Sequence, residues 1–222
     1  MRLSWRFVAI AALFVTTLVV SNIIAVKLVE ISGRVFPAGL VIFPLSYLLG
    51  DVLTEVYGYR SARLVIWIGF ACNLVAVGAI QAAIHLPAAG FWADNQRAYD
   101  TTLGTTWRLF LASLAAYVVG EFANSFVLAK MKVATRGRFL WTRTIGSTVV
   151  GEGLDSLIFI VAAFAGTGSP LLDPIVTTWA IKVGYETAAT PVTYAIVNAL
   201  KQREGMDVYD VETDFNPLAV RG

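Results

Sequence analysis

The chain has 222 residues, of which 57% are hydrophobic and only 14% are charged, and its formal net charge is +2. Soluble domains carry about 25% charged residues, so this composition and a mean hydropathy of +0.70 exclude an ordinary soluble domain and indicate a membrane protein. The single cysteine, Cys72, excludes an intrachain disulfide, and the single histidine, His85, excludes a His-rich metal site.

Six apolar segments are long enough to cross a bilayer, which takes about 20 mostly apolar residues in a helix. They cover residues 6–27, 36–57, 62–85, 108–130, 143–166 and 175–200. The first is longer than the apolar part of a signal peptide, and no small-residue cleavage site follows it. The sequence therefore predicts an all-α integral membrane protein, with six transmembrane helices in one compact bundle.

Basic residues predict the orientation of this bundle, because cytoplasmic loops carry an excess of Lys and Arg. With the N-terminus inside, the inner segments hold Arg2, Arg6, Arg60, Arg63, Lys130, Lys132, Arg136, Arg138, Arg143, Lys201, Arg203 and Arg221. The outer loops hold only Lys27, Arg34, Arg97 and Arg108. We therefore expect both termini in the cytoplasm and the protein in the inner, or cytoplasmic, membrane.

Two segments outside the spans complete the predicted organisation. Residues 1–203 form the transmembrane domain, and residues 204–222 are expected to be an exposed, loosely ordered cytoplasmic tail. The longest outer loop, 86–107, contains Phe91, Trp92 and Tyr99, and aromatic residues of this kind favour the headgroup region. A plain interfacial loop and a lid over the outer mouth both remain open for it.

Acidic residues next to glycine recur inside the apolar spans. The three segments are VVGEGLDSLIF at 149–159 with Glu152 and Asp155, VVGEFANSFVL at 118–128 with Glu121 and Asn124, and LLGDVLTEVYG at 48–58 with Asp51 and Glu55. The glycines, Gly50, Gly120, Gly151 and Gly153, are consistent with tight helix packing and equally with room for a ligand.

Helical spacing places these polar groups on shared stripes of four helices, one of which we expect to bend at Pro44. Polar side chains at membrane depth face the bundle interior or water. The predicted cavity is lined by Tyr47, Asp51, Glu55, Glu121, Asn124, Glu152, Asp155, Lys182, Tyr185 and Glu186.

The charges in this set do not balance, because six acids face one deep cation, Lys182, which we expect to pair with Glu186 one turn along. Buried carboxylates without a counter-ion can take up protons near neutral pH. They can relay protons or bind a polar ligand, and the simpler interpretation is that they only join helices through hydrogen bonds.

Carboxylates and aromatic rings together suit a flat, nitrogen-rich heterocycle better than a sugar or a bare ion. A carboxylate accepts two parallel hydrogen bonds from a donor–donor edge, and aromatic rings stack on a planar ligand. The aromatic residues within or near the predicted cavity are Tyr47, Tyr117, Phe159, Trp179, Tyr185 and Tyr194.

Four motifs in order along the chain resemble those of the queuosine precursor transporter family, also called the vitamin uptake transporter family. They are SNIIAVK at 21–27, FPLSYLLGDVLTEVYG at 43–58, GEGLDSLIFIVAAF at 151–164 and IKVGYETAATPVTY at 181–194. The resemblance implies a six-helix membrane protein that imports cyano- or aminomethyl-deazaguanine, or queuine, for tRNA modification. It implies roles for Asn22, Asp51, Glu55, Glu152, Asp155, Lys182 and Glu186.

The expected partners are therefore a small deazaguanine base and the lipid bilayer. We expect no nucleic acid, no cofactor and no metal ion, and a homodimer stays open. A proton-coupled secondary transporter is the first interpretation. The alternative is the substrate-binding subunit of an energy-coupling importer with separate ATPase partners, because the chain has no G-x-x-x-x-G-K-[ST] motif. Without G-x-S-x-G, H-E-x-x-H or G-x-G-D motifs, we do not expect an intramembrane enzyme, and a purely structural scaffold is least favoured.

Overall fold

The computed structural model describes residues 4–31, 34–104, 107–166, 168 and 170–219. Three predictions fall outside these residues, at least in part: the inner charges Arg2 and Arg221, residues 105–106 of the outer loop, and residues 220–222 of the tail. The statements below on structure refer to the described residues.

Seven α-helices account for most of the described chain. They are α1 Trp5–Ile24, α2 Phe43–Tyr57, α3 Tyr59–His85, α4 Ala93–Leu103, α5 Trp107–Ala134, α6 Leu140–Phe164 and α7 Leu172–Glu204. A short antiparallel hairpin, β1 Leu28–Ile31 and β2 Arg34–Pro37, pairs Leu28 with Pro37. Short 3-10 helices cover Ala38–Val41 and Gly90–Trp92. The all-α class predicted from the sequence is confirmed, and each predicted span overlaps one of the six helices other than α4.

Four helices of the described chain are long and apolar enough to cross a membrane: α1, α3, α5 from Arg108 onward, and α6. The other two predicted spans differ from these for physical reasons. Helix α2 has 15 residues, or about 22 Å at a rise of 1.5 Å per residue, which is shorter than the hydrocarbon core of about 30 Å. Helix α7 has 33 residues but is more polar.

The prediction of a helix over residues 36–57 that bends at Pro44 is wrong. Strand β2 and a 3-10 helix occupy the first part of that segment, and α2 begins only at Phe43. Pro44 therefore lies in the first turn of α2, where its missing N–H would have no partner within the helix. Proline starts this helix and does not bend it.

Helix α2 lies at the centre of the bundle, and every residue from Ser46 to Tyr57 is buried. It contacts α1, α3, α5 and α7. The apolar outer faces of the surrounding helices stay exposed, as at Val75 of α3, which is 72% exposed. Such a surface suits lipid, because apolar side chains facing hydrocarbon lose nothing by exposure.

Glycine allows a close contact between α5 and α6. A Cβ on Gly120 would lie 2.9 Å from the Cβ of Asp155, and one on Gly151 would lie 2.7 Å from the Cβ of Asn124. No larger residue fits at either position without a shift. Of the two interpretations of the glycines, close packing therefore accounts for Gly120 and Gly151.

Both described ends of the chain lie at one end of the bundle, where Arg6 Nη1 is 3.0 Å from Glu204 Oε1. The six helices other than α4 alternate in direction between this end of the bundle and the opposite end. Phe7 of α1 stacks edge-on against Tyr57 at the end of α2, and Arg143 near the start of α6 reaches Glu55 of α2. We call the end with the Arg6–Glu204 ion pair the terminal end. The opposite end, which holds the β-hairpin and α4, is the distal end.

The tail is packed across the terminal end, so the prediction of a loosely ordered tail is wrong for residues 205–219, although most of these residues are exposed as predicted. Asp210 is only 3% exposed. Arg63 of α3 donates to the backbone oxygens of Asp214 and Asn216 at 2.9 and 2.7 Å. The Phe215 ring lies 4.8 Å from that of Tyr59, centroid to centroid. The donors that order the tail come from distant parts of the chain, which tail composition does not show.

Replacing Asp210 by alanine is expected to destabilise the fold through the start of α3. The Oδ2 atom of Asp210 accepts from the backbone N–H of Tyr59 at 3.0 Å, and an acid at this position also interacts favourably with the helix dipole. Loss of a capping side chain costs about 0.5–2 kcal/mol, so the thermal midpoint in detergent should fall. The control Glu212→Ala, which removes an exposed acid of the same tail, should leave it unchanged. Equal midpoints for both variants would contradict the capping role.

Candidate functional site

Eight polar side chains from four helices meet in the interior of the bundle. This acid cluster consists of Tyr47 and Asp51 of α2, Glu121 and Asn124 of α5, Glu152 and Asp155 of α6, and Lys182 and Glu186 of α7. None of them is more than 6% exposed. The ionisable side chains among them are close enough to interact electrostatically with one another. The sequence predicted all eight as site residues, and the structure brings them together.

Lys182 joins α7 to α6 through two carboxylates. Its Nζ atom lies 2.7 Å from Glu152 Oε2 and 2.5 Å from Asp155 Oδ2. The contact with Asp155 is also a hydrogen bond, whereas the contact with Glu152 has the distance of an ion pair without the angle of a hydrogen bond. The predicted pair between Lys182 and Glu186 is wrong, because the lysine side chain extends to the neighbouring helix.

Three acids of the cluster lack such a cation. Both carboxylate oxygens of Glu121 and of Glu186 are buried without a hydrogen-bond partner, and so is Oδ2 of Asp51. Only Oδ1 of Asp51 is satisfied, by Asn124 Nδ2 at 2.7 Å. An ionised carboxylate buried without a partner is very costly. Such acids take up protons or accept hydrogen bonds from water or a ligand, which is the chemistry that the cluster offers.

A small cavity of about 130 Å³ opens beside the cluster and is bordered by Asp155, Lys182, Phe43, Tyr117 and Phe159. Asp155 is the only described carboxylate at its wall. The sequence predicted a ligand-sized hollow enclosed by all the acids, whereas only Asp155 of the described acids borders this cavity. The remaining acids are packed against helices because α2, α5 and α6 approach each other closely at their glycines.

A larger cavity of about 370 Å³ lies towards the distal end, between α1, α3, α5 and the end of α4. Its polar lining includes Asn22, Asn73, Gln81 and Ser113. Asn22 is thus separate from the acid cluster, although it also borders the small cavity. The sequence analysis missed Asn73 and Ser113. Asn73 carries a recognisable signal, because it is an amide inside the apolar run of α3.

Tyr185 does not join the cluster, because its side chain lies on an outer face of α7 and is 45% exposed. Two other predicted aromatic residues bind backbone groups. Trp179 Nε1 donates to the Val149 carbonyl at 3.0 Å, and the Tyr194 hydroxyl accepts from the Trp141 N–H at 3.0 Å. Of the six aromatic candidates, Tyr117 and Phe159 border a cavity.

Glu55 belongs to a second polar cluster, at the terminal end. Arg143 binds both of its carboxylate oxygens at 2.8 Å, and Lys201 Nζ lies 2.6 Å from Oε1. Lys132 is a third cation, 3.6 Å from Oε1. The expectation that Glu55 is unpaired is therefore wrong. Arg143 precedes Ser147 and Gly151 by steps of four, which is the sequence signal for its interior position.

Asp207 of the tail completes this terminal cluster, 2.5 Å from Lys132 Nζ and 2.9 Å from Lys201 Nζ. Partial burial raises the pKa of Asp207, but hydrogen bonds from Lys132 and Lys201 lower it more. The pKa of this carboxyl group therefore lies below the ordinary aspartate value. The cluster ties α2, α5, α6, α7 and the tail together at the terminal end.

Apolar helices around a buried, charged interior define a multi-pass membrane protein with a polar site inside the bundle. Residues 37–196 match the family described as "Putative vitamin uptake transporter". The chain therefore belongs to this family of membrane transporters.

Two relatives share a more specific name. A protein of Bacillus subtilis (strain 168) named "Probable queuosine precursor transporter" is 30% identical over 181 residues, which are 80% of this chain and 78% of the relative. A Haemophilus influenzae protein of the same name is 24% identical over 135 residues, which are 60% of this chain and 54% of the relative. No solved structure shows a significant match.

Replacing Lys182 by methionine is expected to lower the stability of the bundle. The change leaves Glu152 and Asp155 next to each other without their cation, and breaking a buried ion pair costs about 3–5 kcal/mol. The thermal midpoint in detergent should fall strongly. It should recover when Glu152→Gln and Asp155→Asn are added, because no charge is then stranded. A midpoint that stays at the wild-type value in the single variant would show that the pair does not hold α7 to α6.

Low pH should remove the contribution of the Asp207 carboxylate to the stability of the folded protein. Because the folded pKa is lowered, this contribution is present above the unfolded value of about 3.9 and is lost as the pH falls through the folded pKa. The difference in thermal midpoint between wild type and Asp207→Asn should be constant above about pH 5 and shrink below about pH 4. Exposed Glu212→Gln serves as the control. A difference that persists or grows in acid would contradict the ion pairs of Asp207.

Proposed function

We propose that the protein imports queuosine precursors, which are deazaguanine bases such as cyano- or aminomethyl-deazaguanine or queuine, across the cytoplasmic membrane. Membership of the transporter family and the names of both relatives support the cargo. The observation that carries the proposal is the acid cluster itself: five buried carboxylates from four helices around Lys182, with Asp155 and Lys182 at the wall of a cavity.

Asp155 and Lys182 present the groups that the edge of a deazaguanine requires. The base offers two adjacent N–H donors and a carbonyl oxygen, so a carboxylate accepts two hydrogen bonds while an ammonium donates to the oxygen. Phe159 and Tyr117 border the same cavity and offer aromatic faces to the planar ring. We place the charged contacts of the base at Asp155 and Lys182, with Glu152 holding the lysine in position.

The other site residues divide by their surroundings. Glu121, Glu186 and Asp51, with Asn124 and Tyr47 beside them, form the part of the cluster without a cation. We assign the coupling protons to these three acids. A base with an aminomethyl group brings a positive charge, which the same acids accept. Glu55 and Tyr185 have no contact with the base in this proposal, because Glu55 is held in ion pairs and Tyr185 faces outward.

We further propose that the six helices other than α4 run across the bilayer, with the short α2 enclosed by the other five, and that the terminal end faces the cytoplasm. Lys132, Arg143 and Lys201 lie at that end, and excess basic residues mark the cytoplasmic side. Residues 1–203 then form the membrane domain, and the tail from residue 204 covers its cytoplasmic face. The β-hairpin and α4 face the outside.

Substitution of the cavity-facing acid should abolish uptake without preventing membrane insertion. Cells that express Asp155→Asn are expected to accumulate a labelled deazaguanine far more slowly than wild type. A hydrogen bond to a charged group contributes about 1.5–3 kcal/mol, or roughly a 10- to 100-fold loss in affinity. Glu152→Gln should behave likewise because it loosens Lys182. Exposed Asp173→Asn on the same helix as Lys182 is the control, and full uptake by both acid variants would refute the site.

The energy source is tested in the same cells. A protonophore should stop accumulation of the base while cellular ATP is kept constant, and Asp51→Asn should change the dependence of uptake on external pH. Uptake that appears only when separate ATPase subunits are co-expressed would replace proton coupling by the energy-coupling alternative. Guanine and a panel of deazaguanines compared in competition assays identify the preferred base.

A further inference from the structure

We propose that the larger cavity is a first, uncharged binding chamber, in which the amides of Asn22 and Asn73 recognise the edge of the base before it reaches the acid cluster. The inference rests on the proposed function and deepens it. We call this cavity the amide chamber, after its polar side chains Asn22, Asn73 and Gln81, with Ser113 beside them.

The size and place of the amide chamber suit a receiving site. Its volume of about 370 Å³ lies within the range of about 300–1,000 Å³ that is usual for small-ligand pockets, whereas the cavity at Asp155 has about 130 Å³. The chamber is formed by the last turns of α1, the second half of α3, the end of α4 and the start of α5. All of these segments lie at the distal end, far from the cluster that closes the terminal end.

The amides of the chamber are linked to each other and still have donors to spare. Asn22 Nδ2 donates to Asn73 Oδ1 at 2.7 Å, and Asn73 Nδ2 donates to the Gly69 carbonyl at 3.0 Å. These bonds use one N–H of each primary amide, which has two. Ser113 Oγ donates to Asn22 Oδ1 at 3.4 Å, and because an amide oxygen has two lone pairs, this oxygen can accept a second hydrogen bond.

Such a pair of amides matches the alternating donors and acceptors at the edge of a nucleobase. Asparagine and glutamine bind base edges with one donor and one acceptor at a time. Amides carry no charge. A neutral base can therefore replace its hydrogen bonds to water by hydrogen bonds to the amides without lying next to an uncompensated charge. An amide chamber therefore selects for the shape and hydrogen-bonding pattern of the edge, and the charged cluster acts on the base afterwards.

The two cavities adjoin each other, which gives the base a path from one to the other. Asn22, Ala25, Ser113 and Phe159 border both. Phe159 follows Asp155 by four residues on α6, so the two side chains lie on one face of that helix. A base that leaves the amides passes the Phe159 ring and arrives at Asp155 and Lys182.

Protection of a single thiol tests the chamber directly. In a Cys72→Ser protein, Ala76→Cys places a thiol at the chamber wall, and Asn95→Cys places one on the exposed surface of α4. A membrane-impermeant thiol reagent applied from outside should modify Ala76→Cys, and cyano-deazaguanine should slow this reaction. Asn95→Cys should be modified at the same rate with and without the base. A thiol at position 76 that is unreachable from outside, or that reacts equally fast with the base present while the cells still take it up, would overturn the inference.

Substitution of the amides distinguishes binding in the amide chamber from binding at the acid cluster. In the Ala76→Cys background, Asn22→Leu or Asn73→Leu should raise the concentration of base needed for protection by about tenfold or more, as loss of one hydrogen bond of about 1.4 kcal/mol predicts. The same change at exposed Asn95 of α4 should have no effect. Asp155→Asn should keep protection and lose uptake.

The outcomes distinguish this inference from the function on which it rests. If the unsubstituted protein takes up no deazaguanine, the proposed cargo is wrong and the inference falls with it. If uptake is normal but both asparagine variants retain full protection, the amide chamber alone is wrong. If Asp155→Asn loses protection while the asparagine variants keep it, the only binding site lies at the acid cluster.

Discussion

The interior of this protein depends on one cation. Lys182 lies between Glu152 and Asp155, and the described acid cluster offers no second positive charge to its other carboxylates. Because a lone charge in a low-dielectric interior is so unfavourable, the other carboxylates of the cluster need compensation by protons or by hydrogen-bond donors from water or a ligand. In the proposed mechanism this shortage of cations couples binding to protonation, because a ligand in the cavity at Asp155 changes the charge balance around Lys182 and hence the charge that Glu121 and Glu186 can carry.

The two ends of the bundle have opposite character. At the terminal end, Glu55 and Asp207 bind three cations, and the tail covers the helix ends. At the distal end, two adjoining cavities lie among amides and aromatic rings. In the proposed transport, the base enters from the distal end and reaches Lys182 through these cavities, and release on the other side requires the terminal ion pairs to separate. Ion pairs suit such a closure, because water compensates each charge once the cluster opens.

Helix α2 explains how a polar interior is kept inside an apolar bundle. It is too short to span hydrocarbon alone, but the surrounding helices bury it, and its backbone hydrogen bonds are satisfied within the helix. Its acids therefore never face lipid. The glycines of α5 and α6 bring two further acidic helices into contact beside it, and this closeness, more than any added polar residue, concentrates the charge.

The sequence by itself determined the class of fold, the approximate positions of six of the seven described helices and the interior stripes, because hydropathy and helical spacing are local properties. It also identified eight residues that converge, since a charge inside an apolar span has few places to go. Tertiary structure decided which charges pair. Lys182 selects α6 over its own neighbour Glu186, Arg143 reaches Glu55, and the tail folds onto α3. The cavities, too, follow from the distances between helices. These features join residues far apart in the chain, and only the packing of the helices brings them within a few ångströms.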